Sequence, residues 1–292
     1  MGASKASKSP SSGKTVIPFF DGINGVVHLF DGDKGGVGKS FCCATFTQYF
    51  LDSGLPFILL EADRYNPDLA RRYKGVAEID FAIFSDDPDK TKADEIIEYA
   101  KERQVIISLP SQVGKPLAEW LEDGLPTAID NRIKFVRWFV VSGSYESFNL
   151  LRLSLKQYGS QIQYVVVKNF GFNDDWAPLD AEPDSNINYE QLPEWKPLES
   201  VNDEEAELER LVNQRELEAK QIVYFMRKYG VKTIDFPKLP TRERYLLDAY
   251  NLTFSRALTS KVFAARSTSL TRIKKFLAEA YTQFESTGLI LK

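Results

Sequence analysis

The chain contains one histidine, His28, and only two cysteines, Cys42 and Cys43, which are neighbours. A Ser-His-Asp site would have to use His28, yet that residue sits inside an apolar run and reads as a packed core side chain. Adjacent cysteines on a helix point in different directions, so they suit neither a disulfide nor an iron–sulfur cluster. They read as reduced, buried thiols, as in a cytoplasmic protein. No spacing of His and Cys matches a structural or catalytic metal site. No apolar run approaches the roughly 20 residues that a membrane-spanning helix requires. Excess charge is also scarce: 37 Lys and Arg stand against 41 Asp and Glu, a net charge of −4. That balance excludes a uniformly basic, nucleic-acid-coating surface and leaves room only for a local basic patch.

What is present is the composition of a globular protein, 43% apolar and 27% charged over 292 residues. The opening MGASKASKSPSSGK is rich in Ser and Lys and has no apolar centre, so it is not a signal peptide. Its first residues resemble a myristoylation start, but Ala6 stands where that pattern needs Ser or Thr. We expect residues 1–22 to be a disordered tail and 23–292 to be one domain.

Short apolar runs alternate with helical patterns through most of that domain. Val26–Phe30, Phe57–Leu60, Ala77–Phe84, Gln104–Leu109, Phe135–Val141 and Gln163–Val167 read as strands, and Val231–Phe236 as a last one. Ser40–Leu51, Lys92–Glu102 and Glu146–Tyr158 read as helices between them. This rhythm predicts an α/β fold, a doubly wound and mostly parallel sheet flanked by helices, with ligands at the carboxyl ends of the strands. The rhythm breaks at Phe172. Residues 172–229 are acidic, carry Trp176 and Trp195, and end in a charged helical stretch closed by Gly230; we read them as an insertion on the core sheet. Tyr245–Leu291 reads as two helices broken near Ser267–Ser269, and it holds the basic excess: Arg256, Lys261, Arg266, Arg272, Lys274 and Lys275.

The chemistry is concentrated in residues 33–40, DKGGVGKS, between the first strand and the first helix. Phosphates need a cage of backbone N–H groups at a helix N-terminus, and glycines let the backbone come close and adopt positive φ. Gly35, Gly36 and Gly38 meet that need, with Val37 contributing its N–H; Lys39 would reach the β and γ oxygens, and the Ser40 hydroxyl would ligate Mg²⁺. Asp33 stands where the ordinary phosphate-loop pattern has its first glycine, a residue type that tolerates turns.

The string Lys34-Gly35-Gly36-Val37-Gly38-Lys39-Ser40 resembles the deviant Walker A motif of the ParA/MinD class of P-loop ATPases. The resemblance covers the core up to about residue 170. It implies ATP and Mg²⁺ as ligands and an ATP-dependent homodimer in which Lys34 reaches the partner's phosphates. Phe41 stands where many relatives have a second Thr, so an α-phosphate bond there falls to its backbone N–H. The class's second signature, Asp-x-Asp after strand 2, is here Glu61-Ala62-Asp63, which implies that Asp63 positions the attacking water beside Mg²⁺. In the Walker B strand, Val105–Pro110, Ser108 occupies the place of the acid, which implies slow hydrolysis. Asn169 falls where relatives read the adenine edge, and Pro237 is placed to pack on the base.

The function expected is a switch ATPase that positions or segregates a cargo, such as plasmid DNA or a DNA-transfer complex. Nonspecific DNA would meet the basic C-terminal segment, and a protein partner the acidic insertion. The closing helix, Leu270–Phe284, has the apolar spacing of core packing rather than of a membrane anchor. Two alternatives remain open: an ATP-dependent synthetase or kinase for a small acid, and a nucleotide-dependent scaffold that turns over little ATP.

Overall fold

The computed structural model describes residues 21–32, 35–85, 92–111, 113–192 and 204–292. Asp33, Lys34 and Trp195 lie outside them, as does most of the expected tail.

Seven strands form one sheet: β1 (Gly25–Gly32), β2 (Phe57–Glu61), β3 (Ile79–Phe81), β4 (Gln104–Ser108), β5 (Ile133–Val141), β6 (Gln163–Asn169) and β7 (Lys232–Phe236). Their spatial order is β3-β2-β4-β1-β5-β6-β7, and every pairing is parallel. The order reverses beside β1, which lies between β4 and β5, so a crevice opens at its carboxyl end. Both faces of β1 are buried, as the unbroken VVHLF run requires. The expected fold class is therefore present: the central strand, glycine turn and following helix on an all-parallel sheet make a P-loop NTPase fold.

On one face Val26, Phe30, Ile106, Val136 and Trp138 pack beneath α1 (Lys39–Ser53) and the closing helix, α10 (Ser267–Ser286). Helix α1 is buried almost all round, so it needs no polar stripe. Its inward-facing Thr45 and Thr47 donate to the carbonyls of Phe41 and Cys43 one turn back, which satisfies their hydroxyls. Gly54, at φ 65°, ends it with a left-handed cap. Phe46 lies against Trp138 at 4.8 Å between ring centroids, and Phe284 of α10 meets Trp138 edge-on at 5.7 Å. Such pairs add roughly 0.5–1.5 kcal/mol each beyond area burial, which ties α1 to the sheet and to α10. Cys42 and Cys43 are buried here as free thiols, their pKa values pushed up by burial.

His28 belongs to this core. It is fully buried, donates from Nε2 to Gln104 Oε1 at 3.1 Å, and accepts from Trp138 Nε1 at Nδ1, 3.2 Å. Those partners fix the neutral tautomer, and burial pushes the pKa down to about 4. The Gln104 amide also holds the chain end, donating to Leu291 O at 2.8 Å and accepting from Leu291 N–H at 3.1 Å.

The opposite face carries α3 (Glu95–Ala100), α4 (Gly114–Asp130), α5 (Tyr145–Tyr158) and the last turns of α6 (Glu204–Lys228). Between β6 and α6 a 3-10 turn, Ala177–Leu179, brings Trp176 onto Phe148 and Phe170. The remaining helices are α2 (Asp68–Tyr73), α7 (Thr241–Ala249), α8 (Phe254–Thr259) and α9 (Lys261–Ala264). The C-terminal segment is thus four helices rather than the two expected. Asn251, at φ 49°, ends α7, and Thr253 caps α8 by accepting from Arg256 N–H. The third strand is shorter than Ala77–Phe84, and the helix expected over Lys92–Glu102 is confined to α3. No helix among the described residues is long and apolar enough to cross a membrane.

Candidate nucleotide site

At the carboxyl end of β1 the chain turns into α1 through Gly35–Gly38. Gly36 and Gly38 take φ of 98° and 94°, in the left-handed region that glycine alone enters without strain. Gly38 has no room for a side chain either, because a Cβ there would collide with the amide of Asn169. Asn169, at the end of β6, is buried; it donates to Val37 O at 2.8 Å and accepts from Gly171 N–H at 3.0 Å. It therefore braces the glycine loop from two strands away, and by valence keeps one further amide proton and one lone pair. Below the loop, Asp31 accepts from Gly32 N–H at 2.8 Å and forms a buried ion pair with Arg137, 2.5 Å.

A cavity of about 760 Å³ opens over this turn. Lys39, Ser40 and Phe41 line its floor, and Asp63 lies on its wall. Lys39 is buried at the first position of α1, whereas Ser40 is exposed. Asp63 Oδ1 accepts from the N–H groups of Tyr65 and Asn66 at 3.0 and 2.9 Å, which shapes the loop after β2. That loop is anchored by Glu61, only 2% exposed, whose two oxygens accept from Asp63 N–H and Leu69 N–H, both at 3.1 Å. Leu69 is in the first turn of α2, so Glu61 caps a helix whose own N-cap residue, Pro67, offers no side chain. Burial pushes the Glu61 pKa up to about 7.

Ser108 is buried at the end of β4, in register with Glu61 on β2 and Phe30 on β1. The buried carboxylate at this level of the sheet thus comes from β2, where the sequence shows only a strand-end acid. Among the described residues no three His, Cys, Asp or Glu side chains gather as a metal cage. Ser40 and Asp63, the two oxygen ligands expected for Mg²⁺, both line the cavity.

A second cavity, about 280 Å³, adjoins the first. Asn169 and Pro237 both line it, brought together because Asn169 pairs with Phe236 across β6 and β7. Phe41 is partly buried. Its ring packs against Phe236, Phe254 and Phe276 at centroid distances of 6.1, 5.9 and 5.5 Å. Over it lies Arg244 of α7, unmarked by any motif in the sequence, with its guanidinium carbon 5.2 Å from the Phe41 centroid and 5.7 Å from that of Phe172. Asn66, Arg72 and Ser111 also line the larger cavity without a sequence signal, together with Asp68 after the Glu61-Ala62-Asp63 signature.

No family model matches the chain. It is 25% identical over 126 residues to Protein MobD of Acidithiobacillus ferrooxidans, a stretch covering 43% of this chain and 56% of MobD. The chain therefore spans little more than half the length of that relative. Among solved structures it is similar to an Archaeoglobus fulgidus nucleotide-binding protein in complex with ADP, with a TM-score of 0.42 and 14% identity over 80% of this chain and 89% of that one. It is also similar to the MinD cell division protein of Aquifex aeolicus, with a TM-score of 0.40 and 14% identity over 87% of this chain and 97% of that one. The MinC:MinD complex of the same organism gives a TM-score of 0.40 and 12% identity, over 87% and 96% of the two chains. The fold assignment itself rests on the strand order and the glycine loop described above.

Proposed function

We propose that the chain is an ATP-dependent switch ATPase of the ParA/MinD type, which dimerises on ATP and positions or segregates a cargo such as plasmid DNA or a DNA-transfer complex. The observation that carries the reading is that two cavities adjoin and share Phe41, Arg244 and Asp248: one lies over Gly35–Ser40 and Asp63, the other between Asn169 and Pro237. A nucleoside triphosphate has that shape, phosphates at one end and a flat base at the other.

In this reading the loop N–H groups and the N-terminus of α1 hold the phosphates, and Lys39 neutralises the β and γ oxygens. Ser40 and Asp63 would hold Mg²⁺, whose charge would offset that of the phosphates. Asp63 orients that water. Glu61 keeps Asp63 in place through the bond to its N–H. Asn169 and Pro237 hold the adenine. Lys34 completes the partner's site across the dimer. Hydrolysis is slow because Ser108 supplies no carboxylate at the Walker B position. That buried serine also supports the second reading, a nucleotide-dependent scaffold with little turnover.

The exposed Lys274 and Lys275 of α10 support a nonspecific DNA contact. Leu208 and Val212, about 60% exposed on the acidic first half of α6, support a protein partner there. The test combines light scattering with ATPase assays, with and without DNA, on the native chain and on Lys34→Ala, Lys39→Ala and Asp63→Ala. ATP should double the mass of the native chain and of Asp63→Ala but not of the two lysine variants, and Asp63→Ala should turn ATP over at least tenfold more slowly. A native chain that stays monomeric with bound ATP refutes the switch. Retention on DNA that ignores both ATP and salt refutes the DNA contact.

A further inference from the structure

Phe41, Arg244 and Asp248 line both cavities and so mark their junction. A ligand with phosphates on the glycine loop and a base between Asn169 and Pro237 must cross that junction with its middle. In a nucleotide the middle is the α-phosphate and the ribose.

The Arg244 side chain is held there by two aromatic faces, Phe41 and Phe172, and by nothing polar: it makes no hydrogen bond or ion pair with the described residues. The acid one turn further along α7, Asp248, is taken by Arg72 from α2, at 2.5 Å. The Arg244 guanidinium thus keeps its donors unpaired by the described residues while two rings lie within cation–π range of it. A guanidinium without an acidic partner, placed between two adjoining cavities, suits a forked pairing with phosphate oxygens. The α1 position beneath it carries a phenyl ring and no hydroxyl, so a polar side-chain contact at that level has to come from α7.

We propose that Arg244 binds the α-phosphate of the nucleotide and thereby distinguishes nucleotides from pyrophosphate, whose two phosphates fill only the β and γ positions. This rests on the nucleotide reading above and adds to it a residue and a selectivity. Because the contact lies on the base side of the β-phosphate, it serves ATP and ADP alike and does not sense the γ-phosphate.

The experiment is calorimetric titration of the full chain with ATP, ADP and pyrophosphate, each with Mg²⁺, for the native protein, Arg244→Gln, Arg244→Lys and Lys39→Ala. Arg244→Gln should weaken ATP and ADP by the same factor, on the order of 10- to 100-fold, with pyrophosphate binding unchanged. Arg244→Lys should fall between, since it keeps the charge and loses the fork. Lys39→Ala should lose all three ligands. Native-like ATP and ADP binding by Arg244→Gln overturns the proposal and leaves the nucleotide reading standing. An equal loss of pyrophosphate also overturns it, by moving the contact to the β and γ oxygens. A native chain that binds no nucleotide overturns both readings together.

Discussion

His28 and Glu61 are both buried in the native chain in their neutral forms, and their effects on stability run in opposite directions with pH. His28 falls from 6.5 to about 4, so the unfolded chain takes its proton first; the stability it gives is whole above pH 6.5 and is lost as pH falls toward 4. Glu61 rises from 4.5 to about 7, so the unfolded chain loses its proton first; its contribution is whole below pH 4.5 and is lost as pH rises toward 7. At about 1.4 kcal/mol for each pH unit that separates the folded from the unfolded pKa, either group alone is worth about 3 kcal/mol across its window. Between pH 4.5 and 6.5 the unfolded chain carries its proton on His28 and the folded chain carries it on Glu61. The proton counts match, and the two groups together leave stability level. Replacing either one unmasks the other. Relative to the native chain, Glu61→Gln should gain stability as pH rises from 4.5 to 6.5, and His28→Gln should lose it. Each slope is about 1.4 kcal/mol per pH unit, read as the difference from native in urea unfolding at several pH values. Parallel curves for all three proteins would refute the argument, as would slopes of the same sign for the two variants.

Three further outcomes follow from the packing around the site. Gly38→Ala places a Cβ at φ 94° against the Asn169 amide, which costs roughly 1–2 kcal/mol in backbone strain alone; ATP titration should show binding lost while circular dichroism shows the sheet intact. Gln104→Ala strips partners from His28 Nε2 and from both backbone groups of Leu291, so urea unfolding should show a loss of about 2–4 kcal/mol. Arg137→Met leaves the Asp31 carboxylate buried beneath the loop without its cation, a loss of about 3–5 kcal/mol, and adding Asp31→Asn should restore part of it in a double-mutant cycle.

Much of the fold was legible because its signals are local. A run such as QYVVVKN, buried on both faces, can only be an inner strand, and DKGGVGKS states a strand-turn-helix in one line. The break of the C-terminal segment into four helices was harder to see, since it depends on a left-handed Asn251 and a Thr253 cap with no glycine or proline to mark them. Residues of the candidate site divide in the same way. Asp63 takes its role from the resemblance at Glu61-Ala62-Asp63, whereas the glycine loop is read from neighbours in sequence. Asn169, some 130 positions later, was read only through a resemblance, and its bond to Val37 O exists because β6 ends two strands from β1. Arg244 left no trace, because its position has meaning only once α7 lies over Phe41.

Glu61 shows how the sheet alters the meaning of a residue. In the sequence, Ser108 looks like a missing acid and Glu61 like an imperfect first residue of Asp-x-Asp. In the sheet they are register partners on adjacent strands, so the acid absent from β4 stands one strand over on β2. It is not an equivalent acid, however. Both its oxygens are committed to backbone N–H groups that shape the Asp63 loop and cap α2, and its pKa of about 7 leaves it largely protonated in mildly acidic solution. A carboxyl group so engaged orders the loop that carries Asp63 better than it holds a metal-bound water. In the proposed nucleotide site, the loop expected to hold phosphate is fixed by sterics and hydrogen bonds at Gly36, Gly38 and Asn169, whereas the groups that would drive hydrolysis are less fully provided.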